Sequence, residues 1–310
     1  MTTTISSRRV VVVSFLVDLL DVVTNLVVAI LTGSAVIFGE MAQGIADSIG
    51  SGLLVIGERR AARPRDAAHP LGYAREAFFW GLLSAVAMLV IGAGLSGWRG
   101  YQQLVHPEPL QTPLLAVAVL VLAVISNGYA VSLSGRKLAS ENGGLLSIFR
   151  NLNRPLVKGA FLRDLIGTFT SVVGLGALLL YQAYDLLLFD ALGALAAALL
   201  MLFGSIVLMA QARALITGRA LPAAMLTQLR QAALSDPRVE AVNHLAAIYA
   251  GASQILIEAD LDLAESLETR QIEAVLDELE DRVREILPNT ERVRVQLNSC
   301  LLYTSPSPRD

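Results

Sequence analysis

Apolar residues run nearly unbroken at six places in the first two-thirds of the chain, over residues 10–31, 35–56, 77–98, 114–133, 156–181 and 186–210. Each run is long enough to cross a bilayer, which takes roughly 20 mostly apolar residues as a helix. Beyond Arg219 the pattern changes. Residues 221–234 repeat at helical spacing until Asp236-Pro237 interrupts them. Residues 239–249 and 254–263 read as strands, the second alternating Ile255, Ile257 and Ala259 against Glu258, Asp260 and Asp262. An amphipathic acidic helix over 268–287 ends at Pro288, and 292–297 alternates as a last strand. The expected fold is an α-helical membrane protein: a six-transmembrane-helix bundle over 1–215, then a small α+β domain of order αββαβ over 216–299.

Composition agrees with that division. Of 310 residues, 54% are hydrophobic and only 16% charged, and mean hydropathy is +0.58. A net charge of −3 offers no basic excess for nucleic acid. The basic residues that exist are placed unevenly. Arg59, Arg60, Arg63, Arg65 and Arg75 lie between runs two and three, and Arg136, Lys137, Arg150, Arg154 and Lys158 between four and five. Arg8 and Arg9 precede the first run, and Arg213 and Arg219 follow the sixth. The alternate connections hold only Arg99, so the positive-inside rule puts both termini in the cytoplasm. The first run carries Asp18 and Asp21 and lacks a small-residue cleavage site, which makes it a retained helix.

The single cysteine, Cys300, opens the terminal peptide CLLYTSPSPRD. That string resembles one reading frame of a transposon-type sequencing adapter, so residues 300–310 are expected to be non-native. Disulfide and thiol chemistry have no basis here.

Ionisable groups inside spans are costly and therefore functional suspects. Asp18, Asp21 and Asn25 fall on one helical face of the first span, and Glu40, Gln43 and Asp47 on one face of the second. The fifth span carries Arg163, Asp164 and Thr168, the sixth opens with Asp190, and the fourth holds Asn127. Such stripes must face one another or water, which suggests a hydrated cation path through the bundle. Asp47 and Asp164 are the leading candidates. Asp190 could equally favour a helix N-terminus, Glu40 invites the same reading, and Asn127 could join helices. His244 reads as a surface or edge histidine.

The second connection reads HPLGYARE at residues 69–76, preceded by GS at 33–34 and by a Glu40-to-Asp47 pattern in the second run, and followed by FDALGALAAALL from Phe189. Together with the αββαβ tail, these features resemble the cation diffusion facilitator family, in the branch with an HPxGYxRE loop. The resemblance implies a usually homodimeric exporter of divalent metal, most often zinc, exchanged for protons, with the metal as cargo and no bound cofactor. It implies a metallochaperone-like cytosolic domain and, for this chain, a bacterial inner membrane. The family's four transport-site positions fall on Gln43 and Asp47 in the second span and on Ala160 and Asp164 in the fifth. Only two keep a carboxylate, and Arg163 stands where that branch often has an acid.

Two aspartates and an amide make a weak zinc site, and oxygen-only ligands suit harder ions such as Mn²⁺ or Mg²⁺, with Asp18 or Asp21 able to add a ligand and the cargo expected in the zinc, manganese or iron (Fe²⁺) class. Arg163 is expected to point away from Asp164 and to snorkel toward the cytoplasm. His69, three residues after Asp66, is a further candidate ligand, or else part of a structural turn. The expected function is proton-coupled divalent-cation export. The alternative is a degenerate, non-transporting relative that serves as partner subunit or metal-sensing scaffold. An enzyme is disfavoured, because no nucleophile–base pair or cofactor motif occurs.

Overall fold

The computed structural model describes residues 7–142, 155–251, 254–264, 267–288 and 290–297, with side chains described from Leu19 onward except at 134, 137–142, 155–158 and 160. The chain divides after Ala214 into two compact units. Among the described residues the first holds six long helices: α1 (Ser7–Thr32), α2 (Ala35–Ala61), α3 (Glu76–Val105), α4 (Pro113–Asn142), α5 (Pro155–Tyr184) and α6 (Leu188–Ile216). Four of them, α3 to α6, contain a stretch long and apolar enough to cross a membrane. The described apolar part of α1 is the shorter Leu19–Thr32, and α2 is too polar to qualify on composition. The outward faces carry large exposed apolar side chains such as Val90, Leu122, Ile125, Leu199 and Phe203. That is the surface a protein presents to lipid.

The α1–α2 junction shows how local sequence builds the bundle. Gly33 takes φ +70°, a left-handed turn that ends α1 while its N–H bonds the Ala29 carbonyl at 2.9 Å. Ser34 then caps α2, its Oγ accepting from the Ile37 amide at 3.3 Å. The GS pair is therefore a helix stop followed by a helix start.

Among the described residues, two apolar clusters join helices of the bundle. One gathers Val28, Val36, Ile37, Leu120, Leu178 and Ala194 from α1, α2, α4, α5 and α6. The other sets Met88 of α3 against Met201 and Leu208 of α6, with Ile166 of α5 beside them. Within α3, Met88–Ala93 winds as a π-helix. There Gly92 lies so close to α6 that an added Cβ would stand 3.0 Å from Met201 Sδ. Small residues at such crossings let helix backbones approach, as membrane bundles require.

The second unit runs α7 (Ala223–Leu234), β1 (Val239–Tyr249), β2 (Ile255–Leu263), α8 (Thr269–Ile286) and β3 (Thr290–Leu297). The sheet order is β1-β2-β3, antiparallel between the first two strands and parallel between β2 and β3. Parallel pairing needs a crossover, and α8 supplies it. Val242, Ala259, Leu261, Val275 and Leu279 form the core. Ile255, Ile257, Ala259 and Leu261 are the buried face of β2, as period-two alternation demands. Residues 300–310, expected to be non-native, lie outside the described set.

Candidate metal centre

One cavity of about 300 Å³ opens between α1, α2, α4 and α5. Its lining includes Asp21 of α1, Glu40, Gln43, Asp47, Ser48 and Ser51 of α2, Asn127 of α4, and Arg163 and Asp164 of α5. Glycines set these distances. A Cβ on Gly44 would lie 2.9 Å from Val22 Cγ2 and 3.8 Å from Asp21 Oδ2, so its absence lets α1 bring Asp21 to the chamber. A Cβ on Gly167 would lie 2.9 Å from Gln43 Nε2, so α5 can press close against α2.

The deeper polar groups are tied into two short chains. Asn127 Nδ2 donates to Ser171 Oγ at 2.9 Å, and Ser171 Oγ donates to Glu40 Oε2 at 3.1 Å. Thr170 Oγ1 donates to Gln43 Oε1 at 2.5 Å. These bonds fix the Gln43 amide with its oxygen toward α5, and they hold Glu40, which is almost wholly buried. The Ser48 hydroxyl is buried and makes no hydrogen bond among the described residues. Asp47 is only partly covered, and Arg163 Nε lies 3.6 Å from its Oδ1. Among the described residues no three His, Cys, Asp or Glu side chains form a cluster able to hold a metal ion. The carboxylates line one chamber without converging on a point.

The sequence candidates divide cleanly by place. Asp47, Asp164, Gln43, Asp21 and Glu40 share the cavity. The side chains of Asp18 and Ala160 lie outside the described set. Thr168 bonds back to the Asp164 carbonyl at 3.0 Å, and Asn25 to the Asp21 carbonyl at 3.0 Å. Asp190 is wholly buried at the N-terminus of α2, away from the cavity lining. It accepts from Ser34 Oγ at 2.6 Å, the Ala35 amide at 2.8 Å and the Val36 amide at 3.2 Å.

His69 belongs to an exposed turn built on Asp66, which accepts from the His69 amide at 2.7 Å and from Tyr73 Oη at 2.5 Å. The Tyr73 hydroxyl, aided by the His69 amide, holds the Asp66 carboxyl below its ordinary range. The His69 and Tyr73 rings lie 4.1 Å apart. One expectation is corrected: the Arg163 side chain does not reach out to the surface but lines the cavity, where it meets Asp47 and the Ser84 hydroxyl.

Ser48, Ser51, Thr170 and Ser171 were not among the expected residues. Ser51 stands four after Asp47, on the same helical face, so the spacing alone could have marked it.

Residues 11–216 match the cation efflux transmembrane domain, and residues 221–300 match the cation efflux protein cytoplasmic domain. The chain belongs to the cation efflux, or cation diffusion facilitator, family. Its match to the transmembrane domain and its apolar helices make it an integral membrane protein, and the family is the one its sequence resembles. The chain is 27% identical over 282 residues to the mitochondrial proton-coupled zinc antiporter SLC30A9 of Xenopus laevis, covering 87% of this chain and 50% of that protein. Its identity to the human protein of the same name is 25% over 266 residues, covering 84% and 47%. Metal tolerance protein C4 of Arabidopsis thaliana is 32% identical over 115 residues, covering 36% of this chain and 25% of that protein. The chain thus spans about half the length of the zinc antiporters it matches.

Proposed function

We propose that this protein exports divalent metal cations from the cytosol in exchange for protons, with Asp47, Asp164 and Gln43 as its transport site. The observation that carries the reading is the shared cavity, which collects these three residues with Asp21, Glu40 and the Ser48 hydroxyl. The names of the zinc antiporter relatives support zinc as cargo. The donor set argues for a harder ion beside it: carboxylate, amide and hydroxyl oxygens with no imidazole or thiolate favour the Mn²⁺ class. Since the carboxylates do not converge in this state, the ion would draw α2 and α5 together as it binds. Alternating access then exposes the site to each side in turn.

In this reading α1 and α2 join the four apolar helices as a six-span bundle, residues 216–299 form the cytoplasmic domain, and residues 300–310 are adapter-derived. Both termini face the cytoplasm of a bacterial inner membrane. The match to the family's cytoplasmic domain supports a homodimer.

A second reading, a non-transporting partner or scaffold, is favoured by one observation: Arg163 already places a cation beside Asp47. Metal flux into proteoliposomes under an imposed pH gradient decides between them. The assay tests Zn²⁺, Mn²⁺, Fe²⁺ and Co²⁺ with Asp47→Ala and Asp164→Ala as controls. Flux lost in either variant supports export, and no flux from folded wild-type protein supports the scaffold.

A further inference from the structure

Arg163 sits in a socket made by three helices. Its Nε lies 3.6 Å from Asp47 Oδ1 on α2, and its Nη2 donates to the hydroxyl of Ser84 on α3. Ser84 is wholly buried. The guanidinium and the Ser84 hydroxyl both lie against Gly50, one turn beyond Asp47, where an added Cβ would stand 2.7 Å from Ser84 Oγ and 2.9 and 3.0 Å from Nη1 and Nη2. The Arg163 side chain is only 14% exposed. A charged, planar group is therefore seated against a gap that only a glycine leaves, with a neutral acceptor on one side and a carboxylate on the other.

A guanidinium does not deprotonate in proteins, so this cation is permanent. Its ion pair with Asp47 is looser than a direct bidentate bond, because the hydrogen bond goes to Ser84 while Asp47 is held by charge at 3.6 Å. Asp21, Glu40 and Asp164 line the same chamber and add to the negative field. A cation arriving at Asp47 meets a place that one positive charge already serves. A monovalent ion brings no more charge than the guanidinium supplies. A divalent ion brings twice as much, into a chamber that Asp164 also lines.

We infer that Arg163 is a tethered cation that competes with the transported ion for Asp47, lowering divalent affinity and excluding monovalent cations. This inference rests on the transport-site reading of Asp47. It makes Arg163 a specificity-determining residue, seated by Ser84 and Gly50.

The test uses the purified full-length chain in detergent, with Mn²⁺ and Zn²⁺ binding followed by calorimetry, and the same proteins in proteoliposomes for flux. Arg163→Gln should tighten divalent binding by about tenfold or more, since an adjacent unit charge in a partly desolvated site acts strongly. It should also make that binding sensitive to added K⁺. Arg163→Lys, which keeps the charge, should restore the wild-type affinity and K⁺ insensitivity. Gly50→Ala, whose Cβ would crowd both the Ser84 hydroxyl and the guanidinium it seats while keeping the charge, should shift affinity the same way and guards against a misfolded charge variant. In an Asp47→Asn background, Arg163→Gln should change affinity by less than about twofold.

Structural damage loosens binding and does not tighten it. Unchanged or weaker divalent binding in both Arg163→Gln and Gly50→Ala overturns the inference, and so does a tightening that persists undiminished without Asp47. Should wild-type flux require Asp47 while Arg163→Gln binds as wild type, only the inference falls. Should Asp47→Asn bind and transport as wild type, the transport-site reading falls and the inference with it.

Discussion

Asp190 and Ser34 stand 156 residues apart in sequence, and their side chains meet at 2.6 Å in the wholly buried start of α2. The carboxylate also takes the amides of Ala35 and Val36, two of the donors a helix start leaves without intrahelical partners. The first turn of α6 thus caps α2 from outside, and α2 is the helix that carries Glu40, Gln43 and Asp47. Asp190→Ala would leave the Ser34 hydroxyl and two buried amides without their acceptor. The expected cost is roughly 3 kcal/mol of bundle stability, with divalent affinity of the surviving folded protein unchanged. Thermal unfolding in detergent alongside metal titration checks both parts. A selective loss of metal binding at wild-type stability would place Asp190 in the transport site after all.

The Gly167–Gln43 contact separates positioning from stability. A Cβ at Gly167 meets the far end of the Gln43 amide at 2.9 Å, and that end can move. Gly167→Ala should therefore fold normally, yet shift metal preference or KM in the same direction as Gln43→Ala. Gly204→Ala is the contrast, because its Cβ would fall inside the branched Ile166 side chain. There the expected result is a loss of about 1–3 kcal/mol, typical of overpacking, without a selective change in metal preference. Parallel unfolding and flux measurements on the two variants distinguish the outcomes.

The helices were legible because a bilayer demands an apolar run, and the run is visible in one dimension. Thus residues 77–98 and 114–133 fall inside α3 and α4, and the tail's order αββαβ follows from its change of period. Long-range partners were not legible. Nothing local in FDALGA tells that Asp190 would cap a helix beginning at Ala35. The direction of Arg163 was missed for a different reason. Helical spacing fixes where Cβ points, but a long side chain can reach partners on neighbouring helices where a glycine such as Gly50 leaves room. The chamber's carboxylates were readable as stripes, whereas Thr170 and Ser171, which hold Gln43 and Glu40, look in sequence like ordinary small polar residues of a span.

The loop at residues 66–73 is expected to be a structural turn. Its largest contributor to the low Asp66 pKa is the Tyr73 hydroxyl, followed by the His69 amide. A depressed carboxylate stabilises what it holds above the ordinary aspartate range, and that stabilisation is lost as pH falls through its own lower value. The turn should be intact at neutral pH and loosen only in acid. Tyr73→Phe should move the onset of loosening toward the ordinary aspartate range. His69→Ala should leave divalent KM as in wild type. Hydrogen exchange of the His69 amide in the first two proteins, and flux in the third, test these outcomes. A raised KM in His69→Ala would make the loop a metal site.

Asp236, 1% exposed, joins the end of α7 to α8. Arg238 clasps it with Nε at 2.8 Å and Nη2 at 2.8 Å, and Arg282 of α8 reaches it at 3.1 Å. Glu278 completes the set by accepting from Arg238 at 2.5 Å. The Arg238 guanidinium holds the Asp236 carboxyl far below the usual range. By the same sign argument, its contribution is fully present above about pH 4 and fades only as pH falls toward its depressed value. Removing the carboxylate is another matter, because it strands two arginines beside a buried position. Asp236→Ala should cost about 3 kcal/mol of local stability at neutral pH. The loss should be confined to the second unit, where α7, β1 and α8 share this anchor. Hydrogen exchange on the full-length protein should show faster exchange in β1 and α8 with unchanged protection in α3 to α6. Equal acceleration in both units would mean that their stabilities are coupled and that the anchor serves the whole chain.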